Sequence, residues 1–261
     1  MELRTVKATR YVTPLREGGS LPAIVEADDD GLYVLKFRGA GQGPKALIAE
    51  LVAGELGRAL GLAVPELVFV ELDPELARTE PDPEIQDLIR ASAGLNLALD
   101  YLPGSITFDP LVDKPEAALA SSVVWFDAYL TNVDRTARNT NLLVWHRKLW
   151  LIDHGAALYF HHDWANYLER SRRPFSQIKA HVLLPFAAGG VREADAELST
   201  KVTPTLVREI LGLIPDEWLT PSARFSTPSE HREAYAQYLL SRLEPPRDFV
   251  KEAADAGTVP V

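Results

Sequence analysis

One loop of the sequence carries an aspartate and, five residues later, an asparagine: Asp134 and Asn139 in the segment TNVDRTARNTN. Phosphoryl transfer requires an acceptor beside the attacking hydroxyl and oxygen ligands for Mg²⁺, and one short loop can supply both. Further along, Asp153 ends an apolar strand in the segment LIDHG, where a carboxylate can hold a metal ion that bridges nucleotide phosphates. Taken singly, Asp134 and Asn139 can be ordinary turn formers and Asp153 can simply end a strand. The three in this order predict metal-dependent phosphoryl transfer.

A lysine in the N-terminal part of the chain has the setting of a phosphate-binding residue. Lys36 stands in the predicted strand 32–37, which a glycine-rich connection joins to a predicted helix over 45–60. Kinases bind nucleotide phosphates with a strand lysine that is held by a carboxylate from the next helix. Strands alternate, so Lys36 can also face solvent, and the flanking Val34 and Leu35 do not decide its face. We interpret Lys36 as phosphate-binding, mainly because of the helix that follows.

Two glutamates on the predicted helix compete as the partner of Lys36. With 3.6 residues per turn, Glu55 falls inside the broad apolar face of the helix and Glu50 lies outside it. A carboxylate inside an apolar stripe usually needs a partner, which makes Glu55 a real competitor. Both glutamates therefore remain alternatives on this evidence, and we expect the pair with Lys36 to be half-exposed.

The elements that must position these residues change character along the chain. Up to residue 103 the pattern indicates strands with one helix, and residues 74–87 are polar and proline-bearing, which is typical of a loop. Beyond residue 115 it indicates a helix over 116–130, two short strands and then mostly helix. We expect an α+β, protein-kinase-like fold of two lobes. An antiparallel β lobe with one helix spans 1–103, and a mainly α lobe spans 104–261.

The stretch 125–164 resembles the HipA-like kinases and, more distantly, the type II phosphatidylinositol 4-kinases. The first family shows N-x-D-x-x-x-x-N, then a strand and a metal-binding aspartate. The second shows an aspartate-arginine loop before an I-D-N-G-x-A-x-P-F-like segment. Here NVDR at 132–135 and IDHGAAL at 152–158 stand in those places. A glutamate before a G-L-x-x-P turn recurs in both families, and AE at 49–50 with GLAVP at 61–65 matches it.

The resemblance implies an ATP- and Mg²⁺-dependent enzyme and a role for each matching residue. Asp134 is then the catalytic aspartate, and Asn139 and Asp153 are the Mg²⁺ ligands. Lys36 binds the nucleotide phosphates, and the family spacing favours Glu50 as its ion-pair partner.

Other expectations concern the rest of the nucleotide site. Strand 97–103 joins the two halves where a kinase hinge binds adenine, so Asp100 and Leu102 are candidate nucleotide-binding residues. The sequence departs from the protein-kinase pattern in two places. His154 follows the metal-binding aspartate where a protein kinase has Phe, and the usual phosphate-covering loop is reduced to Gly18, Gly19 and Ser20.

Three further groups of residues have both functional and ordinary interpretations. A histidine cluster could bind a transition metal but is better read as loop histidines: His154, His161 and His162 with Asp163. A basic run could bind an anionic substrate or be a solvated helix face: Arg170, Arg172, Arg173 and Lys179. Three serines are candidate autophosphorylation sites by location only: Ser20, Ser171 and Ser176.

Composition narrows the class of function. The net charge of −10 and pI near 5.1 disfavour nucleic-acid and anionic-membrane binding. The chain has no cysteine and shows neither a signal peptide nor a membrane span, so we expect a cytoplasmic protein. We expect the acceptor to be a hydroxyl of a protein or small molecule. The alternatives are a pseudokinase that binds nucleotide without turnover, an enzyme that transfers AMP, and, less favoured, a lipid kinase.

Overall fold

Five strands of the N-terminal part close into a barrel in the computed structural model, which describes residues 2–15, 21–222 and 224–257. Around the barrel the order is β1-β2-β3-β5-β4. β1 pairs with β4 in parallel and the other pairs are antiparallel. The strands are β1 Thr5–Pro14, β2 Ala23–Ala27, β3 Leu32–Lys36, β4 Leu67–Leu72 and β5 Gly94–Asp100.

Alternation along β3 decides which side chains enter the barrel. Tyr33 and Leu35 are buried in the barrel core. Val34 and Lys36 therefore point to the other face, where both line a large cavity. The strand thus carries its lysine away from the hydrophobic interior and towards the cavity.

The helix after β3, α1 (Pro44–Ala59), is buried on nearly all sides. It starts with proline in its first turn, where the missing N–H costs no hydrogen bond. Two glycines allow close packing, since a Cβ at Gly54 would lie 2.8 Å from the side chain of Leu67 and one at Gly57 would lie 3.1 Å from Val64. The helix belongs to the same hydrophobic core as the C-terminal helices, which fixes its position relative to them.

The segment 74–87, predicted to be a loop, instead contains a 3₁₀ turn, Pro74–Thr79, and part of helix α2, Pro83–Ala91. Both begin with the same tripeptide, Asp-Pro-Glu. Asp73 and Asp82 each accept a hydrogen bond from a backbone N–H two residues later, and proline occupies the first helical position. The polar composition hid two ordinary helix-start signals. The N-terminal part therefore has a second helix, whose Ile85 and Ile89 pack in the barrel core.

The C-terminal part is mainly helical and carries one small sheet. The sheet has the order β6-β7-β8, with β6 Ile106–Thr107, β7 Leu142–Trp145 and β8 Lys148–Leu151. The helices are α3 Ala117–Leu130, α4 Tyr167–Ser171, α5 Val191–Lys201, α6 Pro204–Gly212, α7 Pro228–Leu243 and α8 Asp248–Ala256. α3 is buried almost throughout and ends at Thr131 in the left-handed conformation, so the chain turns there into the loop that carries Asp134. Within the described ranges, no helix is long and apolar enough to cross a membrane.

Candidate active site

Lys36 forms ion pairs with carboxylates from two distant parts of the chain. Its Nζ lies 2.6 Å from Asp153 Oδ1 and 3.7 Å from Glu50 Oε2. Burial by itself lowers the pKa of Lys36, but the charges of Glu50 and Asp153 outweigh burial and raise it. The lysine is therefore a buried cation, held between the helix that packs on the barrel and the segment after β8.

Glu50, and not Glu55, lies within salt-bridge range of Lys36. The expectation of a half-exposed pair is wrong, because the side chains of Lys36 and Glu50 are only 10% and 2% exposed. Glu50 Oε1 is also 3.2 Å from His154 Nδ1. Burial raises the pKa of Glu50, but the Lys36 charge and the His154 hydrogen bond bring it down to about 2. Glu55 pairs with Arg58 at 3.4 Å on its own helix, and partial burial raises its pKa.

The loop after α3 brings the two residues of the Asp134 motif into contact. Asn139 Nδ2 donates to Asp134 Oδ2 at 2.7 Å, and Asn141 Nδ2 approaches the same oxygen at 3.4 Å. Asp134 N–H donates to Asn132 Oδ1 at 3.2 Å. The side-chain amides of Asn139 and Asn141 thus both contact one oxygen of the Asp134 carboxylate, and Asn132 holds the backbone of the same residue.

A buried ionic network joins this loop to α3. The sequence analysis did not predict it. Asp127 on α3 lies 2.6 Å from Arg135 Nε and 2.8 Å from His181 Nε2, and accepts from Asn132 Nδ2 at 2.9 Å. Arg135 also donates to Asn141 O through Nη1. Burial raises the pKa of Asp127, but the charge of Arg135 and the bond from His181 lower it well below its ordinary range. The available signal was a carboxylate in the middle of an apolar helix, which requires a partner.

Asp153 has a backbone conformation that is rare for a residue with a Cβ. Its φ is +54°, in the left-handed region that costs an ordinary residue roughly 1–2 kcal/mol. The strand before it is anchored on both sides, since Leu151 N–H donates to Ala63 O at 2.8 Å and Ile152 N–H to Asn141 O at 3.1 Å. Strained backbone of this kind persists where surrounding contacts fix it, and it clusters at functional sites.

A cavity of about 960 Å³ is lined by five of the seven predicted site residues that the structure describes. Its lining includes Lys36, Asp100, Leu102, Asn139 and Asp153, whereas Asp134 and Glu50 lie behind it, against Asn139 and Lys36. Gly18, Gly19 and Ser20 lie outside the described residues. The volume suits a nucleotide-sized ligand, since small-molecule sites span about 300–1,000 Å³.

Comparison with known proteins identifies the family of the chain. The family model for HipA-like kinases matches residues 9–251. The chain is a HipA-like kinase. Its α+β kinase-like fold, predicted from the sequence, is confirmed by the similarity to the crystal structure of the Helicobacter pylori proinflammatory kinase CtkA. That match has a TM-score of 0.58 at 13% identity and covers 96% of this chain and 98% of that one.

This HipA-like kinase is also similar, more weakly, to the crystal structure of the Golgi casein kinase with Mn/ADP bound. The TM-score is 0.49 at 10% identity, with 98% of this chain and 73% of that one covered, and we draw nothing from it. Among curated proteins, none matches the chain. At these identities the structural similarity shows the fold alone.

Two residue groups of the HipA-like kinase have ordinary partners. In the part of the chain that the structure describes, no three His, Cys, Asp or Glu side chains are placed to hold a metal ion together. Within the histidine cluster, His154 contacts Glu50 and His161 contacts Tyr235. Each member of the basic run pairs with an acidic side chain, which favours the solvated-surface interpretation: Arg170–Asp163, Arg172–Glu244, Arg173–Glu169 and Lys179–Glu252.

The candidate phosphorylation sites differ in accessibility. Ser171 is buried and donates to Leu168 O, and is therefore a poor phosphorylation site in the folded protein. Ser176 is exposed, and Ser20 lies outside the described residues.

Proposed function

We propose that this HipA-like kinase binds ATP with Mg²⁺ in the cavity and transfers the γ-phosphate to a hydroxyl of a protein or small molecule. The observation that carries the proposal is that Lys36, Asn139 and Asp153 line the same cavity, together with residues 100–102. A cation for phosphates, oxygen ligands for a metal and a chain segment for adenine are the parts that phosphoryl transfer needs.

The donor set fits a hard divalent cation. Asn139 uses its Nδ2 for Asp134, which leaves its Oδ1 as an oxygen donor, and Asp153 supplies a carboxylate at the same cavity. Mg²⁺ prefers oxygen ligands and completes its shell with water and substrate phosphates. When bound, the ion would neutralise charge on the transferring phosphoryl group.

The remaining residues take complementary roles in this proposal. Lys36, which neutralises Asp153 in this structure, binds the phosphates, and Glu50 holds the lysine in place. Asp134 lies beside Asn139, the proposed metal ligand. A hydroxyl that attacks the phosphate near the metal would therefore be within hydrogen-bond reach of Asp134, which would accept its proton as the general base.

The hinge segment has backbone groups to offer to adenine. Asp100 N–H donates to Glu66 O at 2.8 Å and Tyr101 N–H to Leu32 O at 3.0 Å, so both are used inside the protein. We assign adenine to the Asp100 carbonyl and the Leu102 N–H. Residues 1–103 would then form the nucleotide-binding lobe and 104–261 the catalytic lobe. Gly18, Gly19 and Ser20 stay predicted as the phosphate-covering loop.

The test is incubation of the purified protein, alone and with cell lysate, with ATP labelled at the γ or the α phosphate. Transfer of γ label that is lost in Asp134→Asn supports a kinase, and transfer of α label supports the AMP-transfer alternative. The unfolding temperature is also measured with and without millimolar MgATP, because a bound ligand raises it. A protein that MgATP stabilises but that transfers neither label is the pseudokinase alternative. If the protein shows no label transfer and MgATP does not raise its unfolding temperature, the proposed nucleotide site is refuted.

A further inference from the structure

The histidine after Asp153 contacts the glutamate that pairs with Lys36. His154 is fully buried and its Nδ1 is 3.2 Å from Glu50 Oε1. We propose that His154 is a positioning residue: its imidazole holds the Glu50 carboxylate in place, so that Glu50 can in turn orient Lys36 for phosphate binding. The inference rests on the proposed function and adds a residue to it, on the segment that also carries the metal-binding Asp153.

Lys36 alone does not hold Glu50 in this structure. The lysine makes its short contact, 2.6 Å, with Asp153, while its distance to Glu50 Oε2 is 3.7 Å. That oxygen has no hydrogen-bond partner among the described residues. The contact of Glu50 with His154, at 3.2 Å, is thus closer than its contact with Lys36, and it does not depend on where the lysine ammonium points.

The packing around His154 indicates that the role of the imidazole is the hydrogen bond of its Nδ1, because an apolar ring would pack equally well. His154 stands edge-on to Phe126, with 6.2 Å between ring centroids and 88° between planes. Its second nitrogen, Nε2, is buried and has no partner in the described part of the chain, and a buried polar group without a partner destabilises the fold. A phenylalanine would fill this apolar space without that cost, so the bond from Nδ1 to Glu50 is the contact that only the histidine provides.

The surroundings make His154 a rigid support. It follows Asp153, whose left-handed backbone turns the chain at this point, and its own carbonyl accepts from Ala157 N–H at 2.8 Å. Phe126, which contacts His154, would lie 3.3 Å from a Cβ at Gly57 on α1. The histidine and the helix that carries Glu50 are therefore packed against the same ring of α3.

The test compares His154→Phe, which keeps the ring and loses the bond, with His154→Asn, whose amide nitrogen replaces Nδ1. We expect the phenylalanine variant to lower kcat about tenfold or more with KM for MgATP nearly unchanged, and the asparagine variant to recover much of the loss. His161→Phe is the matched control, because His161 is equally buried but bonds to Tyr235. It should keep the wild-type kcat, and unfolding curves establish that each variant is folded.

A double-mutant cycle with Glu50→Gln shows whether His154 acts through Glu50. If it does, the double variant is no slower than Glu50→Gln, within about threefold, because the two residues serve one function. Equal activity of His154→Phe and wild type, or losses that multiply in the double variant, would overturn the inference. An inactive wild type that MgATP does not stabilise would instead overturn the proposed function, so the two failures are distinguishable.

Discussion

Replacing Glu50 with glutamine tests the charge balance around Lys36. Burial raises the pKa of Glu50, but Lys36 and His154 bring it to about 2, against an ordinary 4.5. Glutamine has the shape of the protonated acid, so the variant loses the free energy that this difference represents. At roughly 1.4 kcal/mol per pKa unit, the free energy of unfolding should fall by about 3 kcal/mol at pH 7.

The sign of the pH dependence follows from the same values. The pKa of Glu50 is lower in the folded than in the unfolded protein, so its stabilising contribution is complete above about pH 4.5 and is lost as the pH falls towards about 2. Urea unfolding of wild type and Glu50→Gln should therefore differ most at pH 7 and less at pH 3. In kinase assays the variant should lose about 100-fold in kcat, because Lys36 is no longer oriented.

Glu55→Gln is the matched control on the same helix. Partial burial raises the pKa of Glu55, so its charge opposes folding and glutamine should leave stability unchanged or raise it. Activity should stay at the wild-type level. The reasoning fails if Glu55→Gln costs as much stability as Glu50→Gln, or if the Glu50→Gln deficit is the same at pH 3 and pH 7.

Three further predictions test other parts of the site and the fold. Asp153→Asn should abolish or strongly weaken the stabilisation by MgATP, whereas Asp134→Asn should keep it and lose turnover, because the base does not hold the metal; equal loss of binding would contradict these roles. Asp127→Asn should lower the free energy of unfolding by about 3–5 kcal/mol, since it leaves the Arg135 charge buried and unpaired; a near-neutral urea curve would show that the network is dispensable. Burial lowers the pKa of His231 to about 4, so the unfolded chain takes up the proton first as the pH falls below 6.5 and stability is lost there. His231→Phe should flatten the fall in unfolding temperature between pH 7 and pH 5, and an unchanged slope would contradict this assignment.

The sequence by itself determined the order of the elements around the site. Helix α1 was predicted over 45–60 and spans Pro44–Ala59, and α3 was predicted over 116–130 and spans Ala117–Leu130. Local signals suffice there, because long apolar segments bounded by proline, glycine or polar loops have few alternatives. The Asp134, Asn139 and Asp153 pattern belongs to the same class, since its information lies in residue type and spacing.

Only the tertiary structure decided which side chains meet. Periodicity on α1 separated an apolar face from the rest, and that argument failed to rank Glu50 against Glu55 because the helix is buried on nearly all sides. The face of Lys36 followed from closure of the barrel, which placed Tyr33 and Leu35 inside.

The contacts of Asp127 and His154 are of the same kind. Asp127 meets His181, 54 residues away, and His154 meets Glu50, 104 residues away. A charged residue within an apolar segment predicts that a partner exists. The identity of that partner depends on how α1, α3 and the segment after β8 pack together. Spacing along the chain carries no information about such packing, and this is where the prediction of the site from sequence ended.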